Sequence, residues 1–267
     1  MKIIFHSDRD GDHEIYSLNF AGGSLRPLTD NRIFDGYPSR SPDGKNIVFV
    51  SERDGNREIY LMDTEGGDYR RLTRTDEPDG YPVWSPAGDK IAYFSGQEAA
   101  DNIHLLDPIT GEEVILTDFK EGRGGPIVFS PDGSQIAFVF CRLQQYKVYL
   151  VDPATHRTRE IIKHAVPESR ICWTPDGKRL LYVSGKGSEE NIWMLVIADG
   201  RFKRITHNAA TDNSPCLSPD GEKLIFSSQR DGENWQLYLV DLRKKDNGEK
   251  PRRLTHDSYN YYYPDWI

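Results

Sequence analysis

Asp35, Asp79, Glu168 and Asp212 share one recurring position, six residues ahead of Ser41, Ser85, Thr174 and Ser218. Gly124 and Tyr261 hold the same place ahead of Ser130 and Ile267. If the fold gathers these positions at one mouth, the carboxylates repel one another and attract positive charge. The ligand such a ring would take is a divalent cation such as calcium or manganese, or a basic peptide. A structural expectation competes with this one. Each Asp can bond backbone in its own loop or pair with Arg9, Arg53 or Arg230, because a residue repeated in every unit ordinarily serves the unit. Beside these positions stand Tyr37, Tyr81 and the run Tyr261, Tyr262 and Tyr263. Aromatic side chains with a hydrogen-bonding tip suit contacts to peptide or sugar, and they equally suit packing between units.

Two arginines join this set. Arg40 replaces the Trp found at positions 84, 173 and 266, and Arg170 lies directly before an inner strand. Either could receive an anionic group, or neutralise a neighbouring carboxylate (Asp35 for Arg40, Glu168 for Arg170). His207 and His256 each follow a Leu-Thr or Ile-Thr pair, and with Asp212 they are the metal-ligand candidates. Solvated loop histidines are the plainer reading. Cys172 and Cys216 share an inner-strand position on adjacent units and read as small buried side chains. Catalytic signatures are absent: the chain has no GxSxG elbow, HExxH pair, P-loop or GxGxxG after a strand.

The elements that position these residues are written in an internal repeat. The turn SPDG occurs at Ser41–Gly44, Ser130–Gly133 and Ser218–Gly221, with SPAG at Ser85–Gly88 and TPDG at Thr174–Gly177. Successive turns are 44, 45, 44 and 44 residues apart. Each is followed by a run that is apolar on both faces (NIVFVS, KIAYFS, QIAFVF, RLLYVS, KLIFSS), as expected of strands covered on both sides. A loop follows, often RDG, whose Gly suits a tight hairpin. A third strand then precedes a short fourth ending in RLT, ILT or RIT. Four antiparallel strands per unit of this length predict propeller blades. The N-terminal MKIIFHSDRDGDHEIYSLN matches KNIVFVSERDGNREIYLMD at an offset of 44, whereas YYYPDWI supplies only a first strand. The expectation is one domain over residues 1–267, all-β, a six-bladed β-propeller whose closing blade is built from both termini. The last repeat carries an insertion around Arg243–Lys250.

Composition narrows the partners. The chain has 34 basic and 42 acidic side chains and a net charge of −8, which argues against nonspecific nucleic-acid binding. Its longest apolar run, Ile192 to Ala198, is too short to cross a bilayer, so no membrane insertion is expected. No basic and apolar leader opens the sequence, which fits a cytoplasmic chain, or a periplasmic one whose leader has been removed. Three cysteines without CxxC spacing do not suggest a zinc site or disulfide framework.

The phased string SxRDGxxxIYxxD…GG…RLT…DGYPxWSPDG resembles the repeat of the TolB-like (PD40) six-bladed β-propellers, most clearly from Ile3 to Gly88 and from Pro215 to Leu239. That resemblance implies the fold, and for TolB itself a periplasmic adaptor that binds envelope proteins. Related propellers serve as non-catalytic domains of serine peptidases, or as metal-dependent oligogalacturonate lyases that hold their metal with His. A shared fold does not choose among such activities. The first expectation is a non-catalytic binding scaffold, a monomer that takes a protein or peptide at the channel mouth. The alternative is a metal-dependent carbohydrate-active enzyme acting on an oligosaccharide at the same mouth.

Overall fold

The structure is a computed structural model that describes residues 2–20, 23–97, 100–163, 165, 170–185, 190–207, 209–243 and 250–266. Every regular element among them is a strand, and the strands form six four-stranded antiparallel sheets. From the channel outward, blade one contains Tyr261–Trp266, Lys2–Ser7, Glu14–Asn19 and Ser24–Pro27. Blade two contains Asp35–Arg40, Asn46–Ser51, Glu58–Asp63 and Arg70–Arg71. Blade three runs through Asp79–Trp84, Ile91–Gln97, Ala100–Leu106 and Glu113–Ile115. Blade four has Arg123–Phe129, Ile136–Arg142, Gln145–Val151 and Thr158–Ile162. Blade five has Cys172–Trp173, Arg179–Ser184, Asn191–Val196 and Phe202–Arg204. Blade six has Asp212–Leu217, Lys223–Ser228, Gln236–Asp241 and Arg252–Arg253. This is the six-bladed propeller that the repeat predicts. Among the described residues no helix is long and apolar enough to cross a membrane.

The termini meet where expected. Ile3 pairs with Trp266 and Ser7 with Tyr261, so Lys2–Ser7 has a strand on both sides, as the second strand of every other blade does. Asn260 fastens the seam, donating from its backbone and side-chain nitrogens to the Asp8 carboxylate at 2.8 and 2.7 Å. The core lies between blades. Second strands such as Ile47-Val48-Phe49-Val50 are fully buried because each face of a sheet packs on a neighbour.

The SPDG turn is a self-contained hydrogen-bonded unit. Ser41 Oγ donates to Asp43 Oδ1 at 2.6 Å and accepts from Asn46 N at 3.0 Å, and Gly44 takes a φ of +74° that suits glycine. In blade three Ala87 has replaced the aspartate, and Asp89 accepts the Ser85 hydroxyl instead, at 2.8 Å. The turns also touch one another. A methyl group at Gly88, Gly133, Gly177 or Gly221 would contact the turn proline of the preceding blade (Pro42, Pro86, Pro131 or Pro175). Blade one has the termini in place of that turn, and at Gly44 a methyl group would meet the Arg40 guanidinium instead.

The recurring Thr of the fourth strand has an equally local cause. Thr29, Thr73, Thr117, Thr206 and Thr255 each present Oγ1 to the backbone N–H of a residue early in the third strand, at 2.8–3.0 Å. Each hydroxyl thereby satisfies a buried donor at the blade's outer edge. Thr117→Val should leave the Ile103 N–H and the Asn102 side-chain oxygen without this partner. The expected loss is about 1–3 kcal/mol in urea unfolding; an unchanged midpoint would show that the hydroxyl is not needed.

Candidate functional site

In the inner strands of blades two, three, four and six the backbone is irregular. Pairing to the second strand shifts register between Gly36 and Ser39, Gly80 and Val83, Gly124 and Ile127, and Asn213 and Cys216. Within these bulges Tyr37, Tyr81 and Ser214 sit at φ of 53°, 54° and 50°, and Tyr263 of the closing strand at 52°. Left-handed backbone at a non-glycine residue costs roughly 1–3 kcal/mol, so such strain marks a place where side-chain direction matters. Here it turns the tyrosines to the axis. Their rings meet there, Tyr37 lying 4.6 Å from Tyr81 and 4.8 Å from Tyr263 between centroids. With Pro126 and Arg170 they line a small cavity of about 30 Å³.

The carboxylates go the other way. Asp35 and Asp212 have no exposed surface. Asp35 binds Arg53 at 3.0 Å and Asp212 binds Arg230 at 2.8 Å, each arginine coming from the RDG loop of the same blade. Arg53 also donates to Ser51 Oγ at 2.8 Å and lies over the rings of Phe49, Tyr60 and Tyr69. Arg230 repeats the arrangement on Ser228, Phe226 and Tyr238. Blade one substitutes a loop acid: Arg9 lies 4.0 Å from Asp257, which accepts the Tyr261 hydroxyl at 2.5 Å. Tyr261 itself is buried against Phe5. The structure therefore places Asp35, Asp212 and Tyr261 inside their blades and not on the mouth, because the bulge assigns the axis to the residue two positions on. Glu168 lies outside the described residues, as does the insertion at 244–249.

Asp79 departs from this pattern. It is buried, yet Gln97 stands in sequence where Arg53 and Arg230 stand in the other blades. Among the described residues Asp79 Oδ2 has no hydrogen-bond partner. Burial pushes its pKa up to about 7, Glu58 and Glu113 add repulsion, and hydrogen bonds from Ser95 and Thr73 pull the other way. Glu14 parallels it: burial raises its pKa to about 7, and Pro27 occupies the position from which Arg71 binds the equivalent Glu58 at 2.7 Å.

The two arginines separate. Arg40 folds its guanidinium over Gly44, at the turn end of the inner strand and away from Asp35. Arg170 reaches across to the closing blade, donating to Pro264 O at 2.6 Å and pairing with Asp265 at 3.0 Å. His207 and His256 are exposed, and the Asp212 carboxylate is held by Arg230. Among the described residues no three His, Cys, Asp or Glu side chains gather as a metal-binding group.

What the mouth contains instead is an aromatic pocket of about 380 Å³ between blades six, one and two. Its walls are Phe34, Trp235, Tyr262 and the tyrosine ring, and two histidines, His6 and His13, lie 5.3 Å apart between ring centroids. His6 Nδ1 accepts the Tyr37 N–H at 3.1 Å. Burial holds the His6 pKa well below its ordinary value, and His13 adds to the effect. Burial also lowers that of His13 against the opposing pull of Asp8 and Asp12, which favours the neutral form of both imidazoles. Sequence reasoning passed over this pair. The available signal was His6 itself, a polar residue in a run where the other blades have Val50, Phe94, Val139, Val183 and Ser227.

The model of the TolB β-propeller domain matches residues 1–126, 75–209 and 125–267. The chain belongs to the TolB β-propeller family. A curated relative, the TolB homolog of Chlorobium luteolum, is 49% identical over 45 residues, which is 17% of this chain and 10% of that protein. The putative TolB of Agrobacterium tumefaciens superposes with a TM-score of 0.73 at 21% identity, covering 95% of this chain and 87% of that one. An oligogalacturonate lyase solved with manganese superposes with a TM-score of 0.60 at 15% identity, covering 90% and 86%. At these identities both structures show likeness of fold alone.

The unpaired Asp79 gives this member of the family a defined pH response. A carboxyl whose pKa is raised by folding takes up a proton on folding, so its stabilising contribution is complete below pH 4 and is lost as pH rises through 7. Asp79→Asn should therefore gain about 4 kcal/mol relative to the unsubstituted protein at pH 9, and less than half as much at pH 5. Denaturant titrations at the two pH values measure this, and an equal effect at both would show that Asp79 does not titrate in this range.

Proposed function

We propose that this chain is a non-catalytic binding scaffold that takes a segment of a protein or peptide partner at the channel mouth. The observation that carries the reading is the pocket of about 380 Å³ bounded by Phe34, Trp235 and Tyr262, with the tyrosine ring beneath it. Its chemistry is that of a side-chain receptor. It offers apolar faces, the small polar groups of Asn213 and Ser214, and two imidazoles whose neutral form burial favours. Such a surface suits an inserted aromatic or large aliphatic side chain flanked by backbone that can hydrogen-bond at the rim. The names of the TolB relatives are consistent with an adaptor role. An oligosaccharide could also stack on these rings, but the lyase reading has less support. Its histidine candidates lie exposed in loops, and Asp212 is committed to Arg230.

A random peptide library selected on the protein, then counter-selected on a Trp235→Ala/Tyr262→Ala double variant, tests the proposal. Enriched peptides should carry an aromatic or bulky aliphatic residue. Their affinity should fall roughly tenfold or more in either single variant, the usual cost of truncating an aromatic anchor, while the melting temperature stays within a few degrees. Peptides that bind the double variant equally well, or no enrichment at all, would count against the mouth as the binding site.

A further inference from the structure

Deeper in the ring, one inner-strand position carries Ser39, Val83, Val128, Cys172, Cys216 and Asp265 in the six blades. Three consecutive blades thus present two thiols and a carboxylate side by side. The inner strands of blades five and six pack on each other here, which brings the two thiols under each other's influence. Cys216 Sγ also lies 3.6 Å from Asp265 Oδ1, and the Leu217 N–H donates to Cys172 Sγ at 3.3 Å. Arg170 completes the group through its 3.0 Å pair with Asp265 and its positive charge near both sulfurs. Packing alone does not call for this set. Ser39, Val83 and Val128 fill the same position elsewhere, and a paired donor, acceptor and guanidinium around two thiols is the environment of a reactive cysteine.

We propose that Cys172 and Cys216 form a peroxide-sensitive dithiol whose oxidation to a disulfide ties the inner strands of blades five and six together. The roles of the two sulfurs follow from their surroundings. The neighbouring Cys216 thiol, the Leu217 N–H and the field of Arg170 together lower the pKa of Cys172 against the opposing effect of burial. It keeps partial exposure, whereas Cys216 is buried and its pKa is raised. Cys172 is therefore the attacking thiolate and Cys216 the resolving thiol.

In the first step the Cys172 thiolate attacks one oxygen of hydrogen peroxide. An S–O bond forms, the O–O bond breaks, and hydroxide leaves with the electron pair. In the second, Cys216 sulfur attacks the sulfenic sulfur of Cys172 as its proton passes to Asp265. An S–S bond forms and the S–O bond breaks, releasing a second hydroxide. The two thiol protons end on these hydroxides, so two thiols and one peroxide yield one disulfide and two waters. Both sulfurs are oxidised and both peroxide oxygens are reduced.

The full chain treated with hydrogen peroxide, alkylated and digested without reductant tests the proposal. Two of the three thiols should disappear together, a peptide joining Cys172 to Cys216 should appear, and Cys141 should still be alkylated. The melting temperature should rise by roughly 5 °C or more as the link constrains the unfolded chain, and dithiothreitol should reverse the rise. In Cys216→Ser, or Cys216→Ala if the first variant folds poorly, Cys172 should stop at the sulfenic acid and be trapped by dimedone. Oxidation of Cys141 ahead of the pair would overturn the proposal. So would irreversible oxidation of Cys172 without a linked peptide, or three intact thiols after treatment.

Discussion

The left-handed residue in the inner strand is the constraint on which the rest of this molecule depends. A regular strand would send alternate side chains to the two faces of the sheet and none consistently to the axis. By taking φ near +50° at Tyr37, Tyr81, Ser214 and Tyr263, the chain points that residue into the channel and turns the one two positions earlier back into the blade. One bulge thus decides two things: the axis is lined by aromatic rings, and the aspartates are withdrawn from water. The strain is offset by contacts that the regular geometry could not make, among them the packing of three tyrosines on one another.

Withdrawing a carboxylate from water is costly unless a cation and hydrogen bonds accompany it. Blades two and six supply both from one loop, where Arg53 and Arg230 bind the aspartate, the serine of the second strand and the aromatic faces beside it. The RDG loop is therefore less a turn signal than the counter-ion of the inner strand. Its partial loss is informative. Blade four drops the carboxylate along with the loop, placing Gly124 under Phe94 and a stack of Phe119 on Phe140 where polar groups stand elsewhere. Blade three keeps Asp79 without the arginine, and the raised pKa of that carboxyl makes protonation the alternative to the pairing of blades two and six.

The fold was legible because its causes are local and repeated. Proline, glycine and hydroxyl side chains shape each turn, and apolar runs covered on both faces mark each second strand. The closing of blade one was legible for the same reason, since Met1 to Asn19 aligns with the second and third strands of a unit and YYYPDWI with the first. The pairing of aspartates with RDG arginines was also foreseeable as one of two alternatives. Three features were not. That the bulge sends Asp35 and Tyr37 in opposite directions depends on a single dihedral. Arg40 lies at the turn end because blade one lacks the proline that would otherwise fill that space. The aromatic pocket draws on Phe34, Trp235 and Tyr262, which come from three blades and share no repeat position, so periodicity could not assemble them.

Symmetry explains why the two proposed activities lie where the repeat breaks. A residue that recurs around the ring is held by its own blade where the blade keeps its partners, as Thr73 and Asp212 are and as Asp79 is not. A residue that departs from the repeat meets neighbours that the repeat did not provide for. His6 in an apolar run leaves imidazole facing an aromatic pocket, and Cys172, Cys216 and Asp265 in a position otherwise filled by serine or valine leave reactive groups side by side. Both departures fall on blades five, six and one, the arc that contains the seam between the termini. Closure there is made by the pairing of Lys2–Ser7 with Tyr261–Trp266, and a cross-link between Cys172 and Cys216 would stiffen the two blades that lead up to it.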